Sequence, residues 1–275
     1  MNIKLIALDL DGTLLDSEKR LSPANEVALR RCIERGIQIV PATGRMWEGV
    51  PEVIRKIPGV RYGIIANGAR VVDMQENKEI STTLLPVDLA VQIMEFAKTT
   101  NAAYDPYLDG WGAMEARFLD HLEDYGLEPK VKELVRGTRR IVADSIEYVK
   151  QRNRPVEKVN MFFGDMDERR RVREQLNQWD SLAVSSSLYN NLEINVAGAS
   201  KGNGITTLAS YLGIRIEETM AFGDGENDMA MIQMAGTGVV MGNGVEELKQ
   251  HADYITSSND EDGVACAIEK LVLSD

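Results

Sequence analysis

The chain has 275 residues, 44% of them hydrophobic, and a formal net charge of −12. That length allows one or two domains with a buried core, and the acidic balance argues against a nucleic-acid partner, because phosphate-backbone binding needs clustered Lys and Arg. Nowhere do the roughly 18 uninterrupted apolar residues of a membrane span occur, and the apolar run between Lys4 and Asp9 is too short for a signal peptide, so a cytoplasmic protein with no membrane partner is expected.

Along the chain, Ile3 to Leu8 is a near-continuous apolar run, as expected of a strand covered on both faces in a parallel sheet. A helix follows in SPANEVALRRCIERG: Ser22 caps it, Pro23 fits its first turn, Leu29, Cys32 and Ile33 share a face, and Gly36 stops it. Strand Ile37 to Ala42, a helix-like stretch around Val50 to Lys56 and strand Tyr62 to Ala66 complete a β-α-β-α-β series, the signature of an open α/β sheet. From Pro86 the pattern changes. A helix with Ala90, Ile93, Met94 and Ala97 on one face leads to strand-like segments around Tyr104 to Met114 that turn at Asp109-Gly110. A helix around Phe118 to Tyr125, a strand in Lys158 to Phe163, an arginine-rich helix and a strand near Ala183 follow. The run Arg169 to Arg173 in that helix reads as a solvated face, with Val172 and Leu176 as its apolar pair. After this mixture the first pattern returns: helix KGNGITTLASYLG, strand Thr219 to Phe222, helix Asp228 to Ala235, strand Gly238 to Met241, a short helix from Val245, strand Tyr254 to Thr256 and a last helix from Val264. The prediction is an α/β fold: a Rossmann-like open parallel sheet core from residues 1–82 and 190–275, with an α+β domain inserted over 83–189. Cys32 and Cys266, far apart and both in helical patterns, are expected to be buried small hydrophobes. His121 and His251 lie near no Ser or Cys motif, which argues against a hydrolase triad.

The chemistry lies in what each core strand runs into. Strand one ends in Asp9-Leu10-Asp11-Gly12-Thr13, strand two in Thr43-Gly44-Arg45, strand three in Asn67-Gly68, and the strand after the insertion in Gly223-Asp224-Gly225-Glu226-Asn227-Asp228. The carboxyl ends of parallel strands share one edge, where ligands bind. Carboxylates beside a buried strand are unfavourable without a partner, so Asp9 and Asp11 are expected to serve a metal, a proton or a nucleophilic attack. Two residues apart at ~3.3 Å per residue, they are too far from each other to share one proton as a protease dyad does. Such a pair could instead flank a bound group, one attacking while the other handles the proton on the leaving oxygen. Gly12 lets the chain turn sharply and aim its amides into the same space. Asp224 and Asp228 beside Asp9 concentrate negative charge, which calls for a hard cation such as Mg²⁺. A calcium-binding EF-hand loop from Asp224 fails, with Met229 where Gly is needed and Ala235 where the bidentate Glu belongs. In AGASKGNG, Ser200 caps a helix whose first turn carries Lys201 and two glycines: free amides, a positive dipole end and an ammonium, which make an anion site.

In order, DLDGT at 9–13, Thr43-Gly44-Arg45, Lys201 in SKG and GDGEND at 223–228 resemble the four motifs of the haloacid dehalogenase superfamily phosphatases. The place of the insertion, with LEINVAGASKG and IIANGA, is similar to the Cof-type branch with a C2 cap. The resemblance implies a phosphatase for a small phosphorylated metabolite, a sugar phosphate first, with Asp9 as nucleophile and Asp11 as general acid and base. It implies Mg²⁺ held by the Asp9 side chain, the Asp11 main-chain carbonyl and Asp224, with Asp228 in support. Thr43 and Lys201 would hold the phosphoryl group, Asn227 would orient nearby groups, and Gly12, Gly44, Arg45 and Asn67 would border the substrate. The cap would close over the leaving group, with specificity in loops such as Tyr104 to Met114, where Trp111 either meets substrate or packs inside the cap. Two other classes compete: a phosphomutase of the same fold, and a non-enzymatic metal- and phosphate-binding regulatory module, which needs neither the insertion nor the second aspartate.

Overall fold

In the computed structural model, which describes residues 2–274, the first apolar run forms β1 (Leu5–Leu8), buried along its whole length. Its side chains alternate between two cores: Ile6 and Leu8 pack with Leu29, Cys32 and Phe222, and Leu5 and Ala7 with Ile205, Leu208 and Met231. That alternation is the period-two geometry of a strand between two helical layers, which is why the sequence shows no polar face here. The chain continues through β2 (Gln38–Pro41), β3 (Tyr62–Ile65), β4 (Arg70–Asp73) and β5 (Lys78–Thr82). It then enters a second unit with β6 (Ala103–Leu108), β7 (Trp111–Glu115), β8 (Arg139–Val142), β9 (Lys158–Phe162), β10 (Leu182–Ser185) and β11 (Asn191–Val196), and returns through β12 (Thr219–Gly223), β13 (Thr237–Val240) and β14 (Tyr254–Ile255). Strands β14, β13, β12, β1 and β2, in that order, form an all-parallel sheet. The first unit holds this sheet and comprises the chain up to Thr82 and from Ser200 onward. The third strand of the expected series, β3, adjoins the end of β2 through the parallel Ala42–Ile64 bridge, and also pairs antiparallel with β4 in a three-stranded sheet with β5.

The second unit is Thr83–Ala199. Its six strands run in the order β10, β11, β9, β6, β7, β8, all antiparallel except β7 with β8. The expected boundary at 189 is corrected to 199, because β11 pairs with both β9 and β10 and so belongs to the insertion. One sheet face is apolar, with Tyr104, Val159, Met161, Leu192 and Ile194 packed on Ile93, Ile146, Val149 and Val172. The other carries buried ion pairs, Arg139 Nε to Asp105 Oδ2 at 2.9 Å and Lys158 Nζ to Glu193 Oε1 at 2.6 Å. The strand-like segments expected around Tyr104 to Met114 form the β6–β7 hairpin, which turns as expected through Asp109 and Gly110, at φ 57° and 85°. Trp111 there is half-buried, with the Arg140 guanidinium over its ring. The arginine-rich helix Met166–Leu176 buries Val172 and Leu176, and Arg169 donates to the Asn191 carbonyl. Phe118 to Tyr125 is two short turns, Ala116–Leu119 and Leu122–Tyr125. Cys32 is buried, but Cys266 is exposed, against expectation. Among the described residues no helix is long and apolar enough to cross a membrane.

Candidate active site

Parallel register sets the site. Leu8 lies level with Pro41 of β2 and Phe222 of β12, so the segments that follow these strands emerge side by side at one sheet edge. The helix Lys201–Tyr211 starts there too, its Ser200 cap accepting from the Asn203 amide at 3.0 Å. The start of this helix lies against Gly68, whose φ is +86° and where an added Cβ would sit 2.1 Å from the Ser200 carbonyl oxygen. Lys201 is fully buried. Its ammonium donates to Asp9 Oδ1 and Asp228 Oδ1, each at 2.6 Å.

Asp9, Asp224 and Asp228 each bring a carboxylate oxygen within 4.8 Å of the others. Asp228 is also an internal anchor, its Oδ2 accepting from the Asp224 and Gly225 amides at 3.0 Å. Asp224 accepts from the Thr13 hydroxyl at 2.7 Å. Gly12, at φ +85°, leaves room for it: a Cβ would fall 2.3 Å from Asp224 Oδ2. Burial pushes the Asp9 carboxyl well above its ordinary range; Lys201 opposes this, and Asp228, Asp224 and Asp11 reinforce it. Burial, with Asp228 beside it, raises Asp224 to about 7. On Lys201 burial acts downward, but Asp228 and Asp9 outweigh it and hold the ammonium charged. Three acids thus face one cation, a surplus of negative charge on hard oxygen donors that suits a divalent cation such as Mg²⁺.

A pH dependence follows from Asp224. Its folded value lies above the ordinary 3.8, so its contribution to stability is present below 3.8 and is lost as pH rises through about 7. A cation competes with that proton and relieves the repulsion that follows its loss. The melting temperature is therefore expected to gain more from Mg²⁺ over EDTA at pH 8 than at pH 5; an equal gain at both would exclude these carboxyls as the binding groups.

Asp11 stands apart, its carboxylate outside the acidic triad. Arg45 grips it through Nε to Oδ2 and Nη2 to Oδ1, both 2.7 Å, and Lys19 adds an ion pair to Oδ1 at 2.8 Å. Partial burial would raise this group, but Arg45 and then Lys19 overcome it and hold the carboxyl at about 2. Arg45, expected to border a substrate, thus has its guanidinium on Asp11 and on the Gly49 carbonyl at 2.7 Å. Thr43 is buried, its hydroxyl accepting from the Arg45 amide across Gly44 and its carbonyl from the Asn67 amide. Asn67, in left-handed conformation at φ 59°, accepts from Asn227 Nδ2 at 3.3 Å, which brings two sequence-predicted residues together. Three participants were missed by sequence reasoning: Thr13, Lys19 and Asn243, whose Nδ2 donates to the Gly12 carbonyl at 2.8 Å. Asn243 carried a readable signal, an asparagine between two glycines just past a core strand.

This parallel sheet with acids and a buried lysine at its carboxyl edge defines a hydrolase of the haloacid dehalogenase type. The family model for haloacid dehalogenase-like hydrolases matches residues 6–268, and the chain belongs to that family. As an enzyme it is a phosphatase. It is 31% identical to the 5-amino-6-(5-phospho-D-ribitylamino)uracil phosphatase YwtE of Bacillus subtilis, over 98% of both chains. It is also 31% identical to the HMP-PP phosphatase of Serratia proteamaculans, over 90% of this chain and 86% of that one. Among solved structures, a haloacid dehalogenase-like hydrolase from B. subtilis superposes with a TM-score of 0.87 at 30% identity, covering 98% of this chain and 100% of the other.

Proposed function

We propose that the protein is a Mg²⁺-dependent phosphatase of a small phosphorylated metabolite, a sugar phosphate first, working through an aspartyl-phosphate intermediate on Asp9. The observation that carries this reading is the separation of the two opening aspartates: Asp9 joins the buried acid–ammonium cluster, while Asp11 is held outside it by two cations. This separation supports one carboxylate for attack on phosphorus and the other for proton transfer.

An Asp9 oxygen attacks phosphorus. The bond from phosphorus to the leaving oxygen breaks, and that oxygen keeps the electron pair and takes a proton from Asp11, which must first take one up from solvent because Arg45 and Lys19 hold its carboxyl at about 2. Asp11 then removes a proton from water as the water oxygen attacks phosphorus, and the bond to Asp9 breaks to release phosphate. Lys201 and the Thr43 hydroxyl hold the phosphoryl oxygens, Asn227 and Asn67 fix that edge, and Gly12 and Gly44 keep the backbone close. Mg²⁺, held by Asp9, Asp224 and the Asp11 main-chain carbonyl with Asp228 behind them, would supply charge neutralisation for the phosphoryl oxygens. The substrate class draws support from the ribityl phosphate named in the YwtE relative.

The test is phosphate release from a panel of sugar phosphates, phosphorylated sugar alcohols and phosphorylated cofactors, with Mg²⁺ and with EDTA. Release that needs Mg²⁺ and favours polyhydroxylated substrates is expected. Undiminished release in EDTA would remove the metal from the mechanism, and preference for a flat heteroaromatic phosphate would remove the sugar.

A further inference from the structure

Residues 16–20 close a tight hairpin: the Asp16 amide donates to the Arg20 carbonyl at 3.0 Å and the Lys19 amide to the Asp16 carbonyl at 2.9 Å, while Leu15 and Leu21 pair antiparallel. This is a three-residue loop, a turn followed by one left-handed residue, a position that favours glycine. Here that residue is Lys19, at φ 61°. A lysine in this conformation is less stable than a glycine, and such strain persists where the surroundings hold it, often at functional sites. The loop is held firmly: Asp16 also accepts from the Arg20 amide and guanidinium at 2.8 and 2.9 Å, and the Ser17 amide donates to Asp260 at 2.8 Å. What the strained residue delivers is its ammonium, 2.8 Å from Asp11 Oδ1.

We propose that Lys19 is a positioning residue for Asp11. Arg45 already binds both carboxylate oxygens, and its own Nη1 is fixed by the Gly49 carbonyl, so it forms the rigid side of the clamp. Lys19, with 43% of its side chain exposed, is the adjustable side. Its ammonium sets how the Oδ1 edge is presented to the leaving oxygen and steadies the carboxylate between the two proton transfers. This inference rests on the roles given above to Asp9 and Asp11. It predicts that Lys19 matters most when the leaving group depends on a proton.

Lys19→Gly separates these effects from folding, because glycine relieves the backbone while removing the cation. Its melting temperature is expected to equal or exceed that of the unmodified chain. Its kcat on an alkyl phosphate is expected to fall about tenfold further than its kcat on p-nitrophenyl phosphate, whose leaving group departs without a proton. KM should stay within about twofold on both, and Lys19→Arg should restore most of the alkyl-phosphate rate. Equal losses on the two esters, no loss on either, or a lowered melting temperature with parallel losses would overturn the role of Lys19 while leaving the phosphatase reading intact. Full phosphate release by Asp9→Asn would overturn both.

Discussion

Asp9→Asn is expected to lower phosphate release by about 10⁴-fold or more, as loss of a covalent nucleophile does. The amide matches the carboxylate in shape and can still accept from Lys201, which keeps its bond to Asp228. It cannot form the acyl phosphate. The variant is also expected to melt no lower than the parent in EDTA, because the carboxyl it removes is buried against Asp228 and Asp224 and is pushed up by that environment. Rates with and without Mg²⁺, beside a thermal melt in EDTA, check both parts. Retained activity would move the nucleophile elsewhere, and a much lower melting temperature would show that the Asp9–Lys201 pair is chiefly structural.

The second large effect is expected at Lys201. Lys201→Met fills a similar volume with an apolar chain and leaves Asp9 and Asp228 without their shared cation. Removing one partner of a buried ion pair typically costs about 3–5 kcal/mol. The loss should appear as a lower urea midpoint in EDTA, and Mg²⁺ should recover part of it by taking over the neutralisation. Activity should not return with stability, since the proposed mechanism needs the ammonium on the phosphoryl oxygens. Recovery of both would mean that Lys201 only balances the acids.

Much of the site was legible because parallel strands make sequence order and spatial order coincide. Whatever follows β1, β2 and β12 must emerge along one edge, so Asp9, Thr43 and Asp224 could be grouped from their positions after apolar runs. The apolar run itself showed that both faces of β1 are covered. Antiparallel pairing gives no such help. The alternation of Leu192 and Ile194 with Asn191, Glu193 and Asn195 marks a strand, but its partners β9 and β10 are fixed by side-chain fit and not by order, which is how the boundary came to be misplaced by ten residues. The clamp on Asp11 was hidden for a related reason. Lys19 reaches Asp11 through one left-handed residue, and Arg45 through a bend after β2; neither is a periodic signal. Cys266 shows the limit of composition, since a helical cysteine can face either way.

The contact between Gly68 and the Ser200 carbonyl lies where the chain re-enters the first unit, one residue before the buried ammonium. A side chain at 68 would push that re-entry point away, and with it the start of the helix that carries Lys201. The return from the long detour between Thr83 and Ala199 thus turns on the absence of a single Cβ.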